Sequence, residues 1–571
     1  MDLATLRHSC SHIMAQAVKE IWPETKLGIG PAIEDGFYYD FDKSESFTDQ
    51  DLAKIEERMQ QIIDQNEPFI REEITKEEVI KLFRRLKEDY KLELINEIED
   101  ERVTIYKTGE NFIDLCKGPH IESTGKIQVF KLLTVAGAYW HGIETNPMLQ
   151  RIYGACFETK KELDDYLENL EEAKKRDHRK LGPSLDLFNF YYGEAGTGLV
   201  FYHPKGTILR TIIEDYLKRE HLGRGYQLVI TPHIMQASLW KTSGHYDYYR
   251  ENMYTLKIET QEFVLKPMNC PGHILIYKSK IRSWRDLPLR YFELGTVYRY
   301  EKSGVLHGLL RLRGFTQDDS HIFCLEEQLK DEIKGILDFV LEVMSDFGFG
   351  ELVFELSTRP KKFLGSLEVW ERAENILTES LKEKDFSFKI NPGEGAFYGP
   401  KIDIKLKDAL KRLWQCATIQ CDFALPEKFD LGFIDSKGER KRPVMLHRVI
   451  LGSLERFIGC LIEHYGGNLP LWLAPLQIVI IPIKTEHTSY ASEIKERFTA
   501  EGLRVDLDYR NETLEKRIRD GELEKIPYLL VIGEKEIEER KVSARKRKEG
   551  NLGSMDIEEF IKGLNQDLKR R

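Results

Sequence analysis

The longest strongly apolar run in this chain is the octet LQIVIIPI at 476–483. A helix needs about 20 such residues to cross a bilayer, so no membrane partner is expected. The remaining apolar residues, 41% of the sequence, are dispersed among charged ones, 32%. That is the balance of a globular protein, and 571 residues imply several domains. The opening MDLATLRHSCSH has neither the basic start nor the apolar core of a signal peptide. Eight cysteines are scattered without a CxxC pair, which predicts a reducing, cytoplasmic setting and turns attention to their chemistry. A net charge of −11 argues against nucleic-acid binding over the whole surface. Local basic patches bind phosphate whatever the overall sign.

Rhythm divides the chain. Residues 4–21 show a helical apolar period, followed by a Gly/Pro turn and an aromatic strand in GIGPAIEDGFYYDFD. Residues 162–180 predict a helix through Leu163, Tyr166, Leu167, Leu170 and Ala173, ending in the basic KKRDHRK and stopped by Gly182-Pro183. That basic end reads either as a solvated helix terminus or as an RNA contact. From 184 to 474, charged residues within apolar, aromatic strands predict a large antiparallel sheet with a polar cleft. Strand candidates 476–483, 503–508 and 526–533 then alternate with helices, predicting a small α/β domain with a largely parallel sheet. Ser554 is the expected N-cap of a final helix, with Asp556 in its first turn. The expected divisions are 1–160, 161–183 (a connecting helix), 184–474 and 475–571.

Three segments of the middle region stand in a telling order. The first is GTILRTIIEDYLKREHLG followed by YQLVITP, ending at Pro232. The second is Tyr298-Arg299-Tyr300-Glu301, then Arg311 to Phe315 in RLRGF. The third is ILGSLERFIG with Gly452, Glu455 and Arg456. Together they resemble the three signature motifs of class II aminoacyl-tRNA synthetases. In such enzymes the amino-acid carboxylate attacks the α-phosphorus of ATP, so positioning and charge neutralisation dominate. The resemblance implies that Arg299 holds the α-phosphate, Glu301 reads the adenine amino group and Arg311 binds the triphosphate. It further implies that Phe315 stacks on adenine and Arg456 clamps the far phosphate. Arginine suits these tasks because its planar fork bonds phosphate bidentately and stacks on bases. Mg²⁺ is implied by the triphosphate.

The phrases KPMNCPGH, GFTQDDSHIF and PVMLHRVILGSLERF resemble the threonine-specific branch of these synthetases, and the likeness runs along essentially the whole chain. It implies one Zn²⁺ held by Cys270, His321 and His447, whose spacing matches no local finger motif. Three protein ligands leave a coordination position open, and threonine's amino and hydroxyl groups suit it. Valine lacks the hydroxyl, and a site built to bind one rejects such an analogue by roughly 10⁴–10⁵. Asp319 is the implied acceptor for the hydroxyl. Met268, Gln317, Tyr398, Lys401 and Gln420 are further implied threonine or catalytic contacts, and Gln415 and Thr418 line the nucleotide cleft. His245, in TSGHYD, reads either as an aid to transfer onto the tRNA 3′ end or as a surface histidine.

Serine differs from threonine by one methyl, worth roughly 10–200-fold, so a second sieve is expected. His8 and His12 share one face of the first helix. Cys116 and His120 sit in DLCKGPH, where Gly118-Pro119 forbids a regular helix. Together they resemble the domain of bacterial relatives that hydrolyses seryl-tRNA, with Tyr39, Lys91 and Asp114 in support. Two readings stand: a metal-free site that positions water and ester, or a second zinc site; the resemblance favours the first. Many relatives carry about sixty further residues ahead of this domain, and with His8 already in the motif none are expected here.

The fold class implied is therefore multidomain: an N-terminal α+β editing domain, an antiparallel-sheet class II core and a C-terminal α/β anticodon-binding domain. In the last, Asn511, Arg519, Lys535, Glu536 and Arg545 would supply donors and acceptors to unpaired anticodon bases. The partners implied are ATP, L-threonine, tRNA(Thr) and a second copy of the chain, since the helix and strand ending at Pro232 resemble the class II dimer interface. The rival is a regulatory RNA-binding relative that senses uncharged tRNA without catalysis. Such relatives lose catalytic arginines or a metal ligand, whereas Arg299, Glu301, Arg456 and all three metal candidates are present. A free-standing editing hydrolase needs no ATP domain.

Overall fold

The computed structural model describes residues 2–109, 112–143 and 145–569. They form two compact units that divide at Glu171–Glu172, inside the helix Lys160–Arg176.

In the first unit, the carboxylate of Asp2 accepts from the Ala4 and Thr5 amides and starts the helix Leu3–Ile21. Its apolar residues join those of strand Gly36–Asp42 in one core. That strand pairs antiparallel with Met148–Phe157, which pairs antiparallel with Val129–Tyr139. A smaller antiparallel sheet joins Phe69–Thr75, Arg102–Thr108 and Phe112–Leu115.

The second unit is built on eight strands in the order Gln227–Leu228, Leu289–Tyr298, Gly314–Cys324, Val444–Val449, Leu413–Asp422, Lys401–Lys407, Leu352–Ser357 and Phe388–Asn391. The middle is antiparallel, as expected, and both edge pairs are parallel. Alternation sends every second side chain to each face. Ile322, Leu446, Ala417 and Ile419 join a core shared with the helices Pro204–Gly223, Leu329–Asp346 and Leu454–Tyr465. Polar side chains take the other face and floor a cleft.

The C-terminal sheet runs Val505–Leu507, Ile478–Pro482, Tyr528–Ile532, Lys541–Lys546, Gly550–Asp556. The first three strands are parallel, and the last two return antiparallel.

Four local expectations change. The connecting helix breaks at Asp177, whose carboxylate accepts from the Arg179 amide at 2.8 Å and starts a second helix, His178–Ser184. Gly182 and Pro183 lie inside that helix rather than stopping the first. The basic stretch is no simple solvated end, because His178 within it is fully buried. YQLVITP yields only the two-residue strand Gln227–Leu228. Ser554 and Asp556 belong to the strand Gly550–Asp556, and the last helix begins at Ile557; pairing of Ser554 with Ser543 and of Asp556 with Lys541 outcompetes the cap.

Candidate active site

Strand register gathers residues that sequence scatters. Lys401, Gln420, His447 and His321 stand opposite one another on four neighbouring strands. Alternation adds Asp319 and Gln317 to the same face of the strand carrying His321. Gln317, Asp319, His321, Gln420 and His447, with Met268, Cys270, Arg299, Tyr398 and Thr418, line a cavity of about 190 Å³, while Lys401 at the end of the row is bonded to Asp403.

Cys270 opens the helix Cys270–Lys278 beside this floor. Its sulfur and one nitrogen each of His321 and His447 lie within 4.8 Å of one another, and all three residues are buried. The outer nitrogens are held. His447 Nε2 lies 2.8 Å from the Asp422 carboxylate and so carries the proton. His273 donates from Nε2 to Glu293 at 3.0 Å, leaving its Nδ1 to accept from His321 Nδ1 at 2.8 Å. Glu293 is held down to about 2: burial, which raises it, is outweighed by the bonds from His273 and the Thr231 amide and by the Lys266 ammonium. Both inward nitrogens, His321 Nε2 and His447 Nδ1, therefore present lone pairs 3.0 Å apart. Two lone pairs at that distance repel unless a proton or a cation lies between them. Burial and the neighbouring imidazoles push His321 well below the usual range, which disfavours the proton. The donor set therefore fits a metal ion, and the buried Cys270–His321–His447 group can hold zinc.

Burial also raises the Cys270 thiol and the Asp319 carboxyl, the latter bonded by Asn269 Nδ2 at 3.0 Å. His245 is fully buried, against the surface reading, with Nδ1 at 2.7 Å from Ser243 Oγ and Nε2 at 3.9 Å from the Cys270 sulfur. Burial lowers it to about 3.

Of the nucleotide candidates, Arg299 and Thr418 line this cavity. The Arg299 guanidinium lies 5.1 Å from the Phe315 ring centre, and its Nε donates to the Pro267 carbonyl. Arg311 and Glu301 bind each other, at 2.9 and 3.1 Å. Arg456 donates to the carbonyls of Leu310 and Gln415. Lys401, Gln415 and Thr418 all reach the buried Asp403 carboxylate. Asp318 accepts the amides of Ile450, Leu451 and Gly452 at 2.8–3.0 Å and shapes the turn before the helix that carries Arg456. Burial, partly offset by Arg448 and those amides, raises its carboxyl to about 6. Sequence reasoning missed Asp318, Asp403, Asp422, Glu293, His273, Lys266 and Asn269. Three of these sit within KPMNCPGH itself; their roles emerge only from strand pairing.

The first unit brings His8, His12, Cys116 and His120 together, with one donor atom from each within 4.8 Å of the others. The Cys116 sulfur lies 3.4 Å from His8 Nε2 and 3.3 Å from His120 Nε2. Ser9 Oγ, 3.0 Å away, holds His120 Nδ1. Asp114 is gripped by Lys91 at 2.6 Å and by the Tyr39 hydroxyl at 2.5 Å. Burial raises Cys116 to about 11 and, with His12 and His8 beside it, lowers His120 to about 2. A protonated thiol beside neutral imidazoles is no thiolate nucleophile.

The anticodon candidates are spread over three elements and one loop of the C-terminal domain. Arg545 reaches Glu522 at 3.5 Å, one helical turn beyond Arg519 in Leu514–Leu523. Lys535 and Glu536 head the helix Glu534–Glu539, and Asn511 lies in the loop after Val505–Leu507. Glu536 already accepts the Gly533 amide at 3.0 Å.

The antiparallel sheet and its arginine-bearing cleft define a class II aminoacyl-tRNA synthetase. Residues 254–465 match the class II core domain of the G, H, P, S and T synthetases. Residues 477–567 match the anticodon binding domain, and 103–153 match the second additional domain of threonyl and alanyl tRNA synthetases. The threonine–tRNA ligase of Pelobacter propionicus is 56% identical over 99% of this chain and 89% of its own length. A crystal structure of the RNA binding domain of Cryptosporidium parvum threonyl-tRNA synthetase is 42% identical, with a TM-score of 0.66 over 68% of this chain and 98% of its own. A threonyl-tRNA synthetase described as putative, from Aeropyrum pernix, is 31% identical, with a TM-score of 0.61 over 69% of this chain and 96% of its own. The chain belongs to the threonine–tRNA ligase family.

Proposed function

We infer that this chain activates L-threonine with ATP, transfers it to the 3′ end of tRNA(Thr) and hydrolyses mischarged seryl-tRNA(Thr). The single row Lys401–Gln420–His447–His321 carries this reading, because it sets the metal donors beside the arginines that suit ATP. In the first step Arg299 neutralises the α-phosphate, Phe315 stacks on adenine, and Glu301 turns from Arg311 to the adenine amino group. Arg311 and Arg456 then clamp the outer phosphates, with Mg²⁺ accompanying the triphosphate. Cys270, His321 and His447 would hold one zinc per chain, which supplies coordination to threonine's amino and hydroxyl groups. Asp319 accepts the hydroxyl proton, Met268, Gln317, Tyr398 and Gln420 shape the pocket, and Lys401, Gln415 and Thr418 line the nucleotide side. His245, neutral and buried, positions the Cys270 side of the pocket.

In the first unit, His8, His12, Cys116 and His120 position water and the seryl ester, supported by Tyr39, Lys91 and Asp114. The site works without metal in this reading, since Lys91 already neutralises Asp114 and leaves no carboxylate charge to support a cation. Asn511, Arg519, Lys535, Glu536 and Arg545 read the anticodon. Two copies assemble through the region of Leu222, Leu228, Ile230 and Ile234. All four are exposed, Ile230 by 90%, and such a patch on a parallel edge strand calls for a partner. No described helix is long and apolar enough to cross a membrane, and all eight cysteines are free thiols, which supports a reducing cytoplasm. The test is threonine-dependent exchange between ATP and pyrophosphate by the purified chain. Exchange with threonine, and hardly any with valine, is expected; its absence in zinc-loaded protein overturns the reading.

A further inference from the structure

The imidazole of His178 is fully buried, yet it belongs to none of the sites above. Its two nitrogens have different tasks. Nε2 accepts from the Leu309 amide at 2.9 Å, so it carries a lone pair and the proton sits on Nδ1. Nδ1 then donates to Glu463 at 2.6 Å, and the same carboxylate oxygen accepts the His178 amide at 3.1 Å. The other Glu463 oxygen accepts from Arg412 at 2.6 Å. Both ring nitrogens are spoken for, so His178 has no lone pair to offer a metal, although Asp177 and Glu463 lie close by.

What the ring holds is the return of the loop between strands Leu289–Tyr298 and Gly314–Cys324, the loop with Glu301 and Arg311. The fit is close: a Cβ on Gly308, where φ is +49°, would lie 2.2 Å from His178 Nε2. Leu309 and Leu310 are buried, and the Leu310 carbonyl accepts from Arg456 Nε at 3.2 Å. The pinned amide is thus two residues from Arg311 and one from the carbonyl that orients Arg456. Glu463, the ring's other partner, lies in the helix Leu454–Tyr465, which begins with Arg456 in its first turn.

We propose that His178 is a positioning residue for the ATP clamp, locking the Arg311 loop to the Arg456 helix through the Leu309 amide. This rests on the ligase reading given above. An asparagine at 178 can still donate near Nδ1 to Glu463 but offers nothing at the Nε2 position. A glutamine reaches the Nε2 position and can accept from Leu309. His178→Asn therefore lowers kcat/KM for ATP in threonine-dependent exchange by roughly 10- to 100-fold, the scale of an ångström misplacement. KM for threonine and bound zinc stay unchanged, because the Cys270–His321–His447 group is not part of this contact. His178→Gln recovers most of the loss. Gly308→Ala, whose Cβ intrudes on the same contact from the loop, reproduces it with His178 itself unsubstituted. Hydrogen exchange in the wild type should show a slow Leu309 amide. The ligase reading fails separately, if the wild type shows no exchange with threonine at all. With an active wild type, the proposal is overturned by unchanged ATP kinetics in His178→Asn. It is also overturned if Asn and Gln variants lose ATP and threonine use alike. Should His178→Asn not fold, a fast-exchanging Leu309 amide in the wild type, or an unaffected Gly308→Ala, overturns it.

Discussion

Two cysteine–histidine clusters stand in one chain, Cys270–His321–His447 and His8–His12–Cys116–His120, and their ligand types are the same. They differ in what surrounds them. Three buried carboxylates, Asp319, Asp422 and Glu293, surround the first, with the Lys266 ammonium and the Arg299 and Arg448 guanidinium groups close by. One carboxylate, Asp114, backs the second, and Lys91 already neutralises it. The first cluster has a carboxylate accepting behind each imidazole, Asp422 directly behind His447 and Glu293 through His273 behind His321, which makes them stronger donors to a cation. In the second, among the described residues, no carboxylate accepts behind a ligand imidazole at hydrogen-bond distance: His8 and His120 are held by a carbonyl and a hydroxyl, Pro119 O and Ser9 Oγ, and the buried His12 Nδ1 has no hydrogen-bond partner. Ligand identity alone does not make a metal site; the charge behind the ligands decides.

Breaking the first cluster should give the largest effect. Cys270→Ser is expected to remove zinc and to lower threonine-dependent exchange by roughly 10⁴-fold, the discrimination a buried polar site commands. Cys116→Ser should leave zinc content at about one per chain and exchange intact. Metal analysis of both variants separates the clusters; two zincs in the wild type, one lost in Cys116→Ser, would reverse the comparison.

The next effect belongs to the second cluster. His8→Ala or Cys116→Ala should leave threonine activation unchanged while seryl-tRNA accumulates. At equal threonine and serine the mischarged fraction should approach one in roughly 10–200, the limit of what one methyl discriminates. Clearance of seryl-tRNA at the wild-type rate in both variants would remove the editing role.

A sharper test addresses the charge behind the ligands. Asp422→Asn keeps a hydrogen-bonding group at His447 Nε2 but removes the charge, and zinc affinity should fall about 10- to 100-fold. Asp114→Asn should leave zinc affinity unmoved. Equal zinc affinities for Asp422→Asn and the wild type would show that donor geometry suffices.

The sequence made the two clusters legible unequally. Helical period placed His8 and His12 on one face of Leu3–Ile21, and the phrases around Cys270, His321 and His447 marked those residues. The groups that distinguish the clusters were silent. Asp422 meets His447 because the strands Leu413–Asp422 and Val444–Val449 pair in one register, and Glu293 meets His273 across a strand and a helix. Such partners are fixed by long-range pairing, to which composition and local period are blind. The same cause hid His178 in a basic stretch and kept Ser554 in a strand. The middle antiparallel sheet and the strands near 478, 505 and 528 were readable, because alternation and short apolar runs are local properties.

The smallest expected effect is a pH slope confined to the first unit. Burial, with His12 and His8 beside it, lowers His120 to about 2, and burial also lowers His8. An unfolded histidine titrates near about 6.5. Between those values the unfolded chain binds the proton that the folded one refuses, so stability rises with pH there. The contribution of His120 is whole above about pH 6.5 and is lost progressively as pH falls towards the folded value. At pH 5.5 the loss amounts to about 1.4 kcal/mol for one such group. Hydrogen exchange of the helix Leu3–Ile21 in the full chain should therefore quicken between pH 7.5 and 5.5 by about tenfold more than intrinsic exchange chemistry accounts for. His120→Asn, which has no proton to refuse, should flatten that dependence by about the same factor. The helix Leu454–Tyr465 in the second unit, whose imidazole neighbour His178 sits against the Glu463 carboxylate, should not respond to His120→Asn at all. An unchanged slope in His120→Asn would mean that the neutral imidazoles of this cluster do not set the acid limit of their own unit.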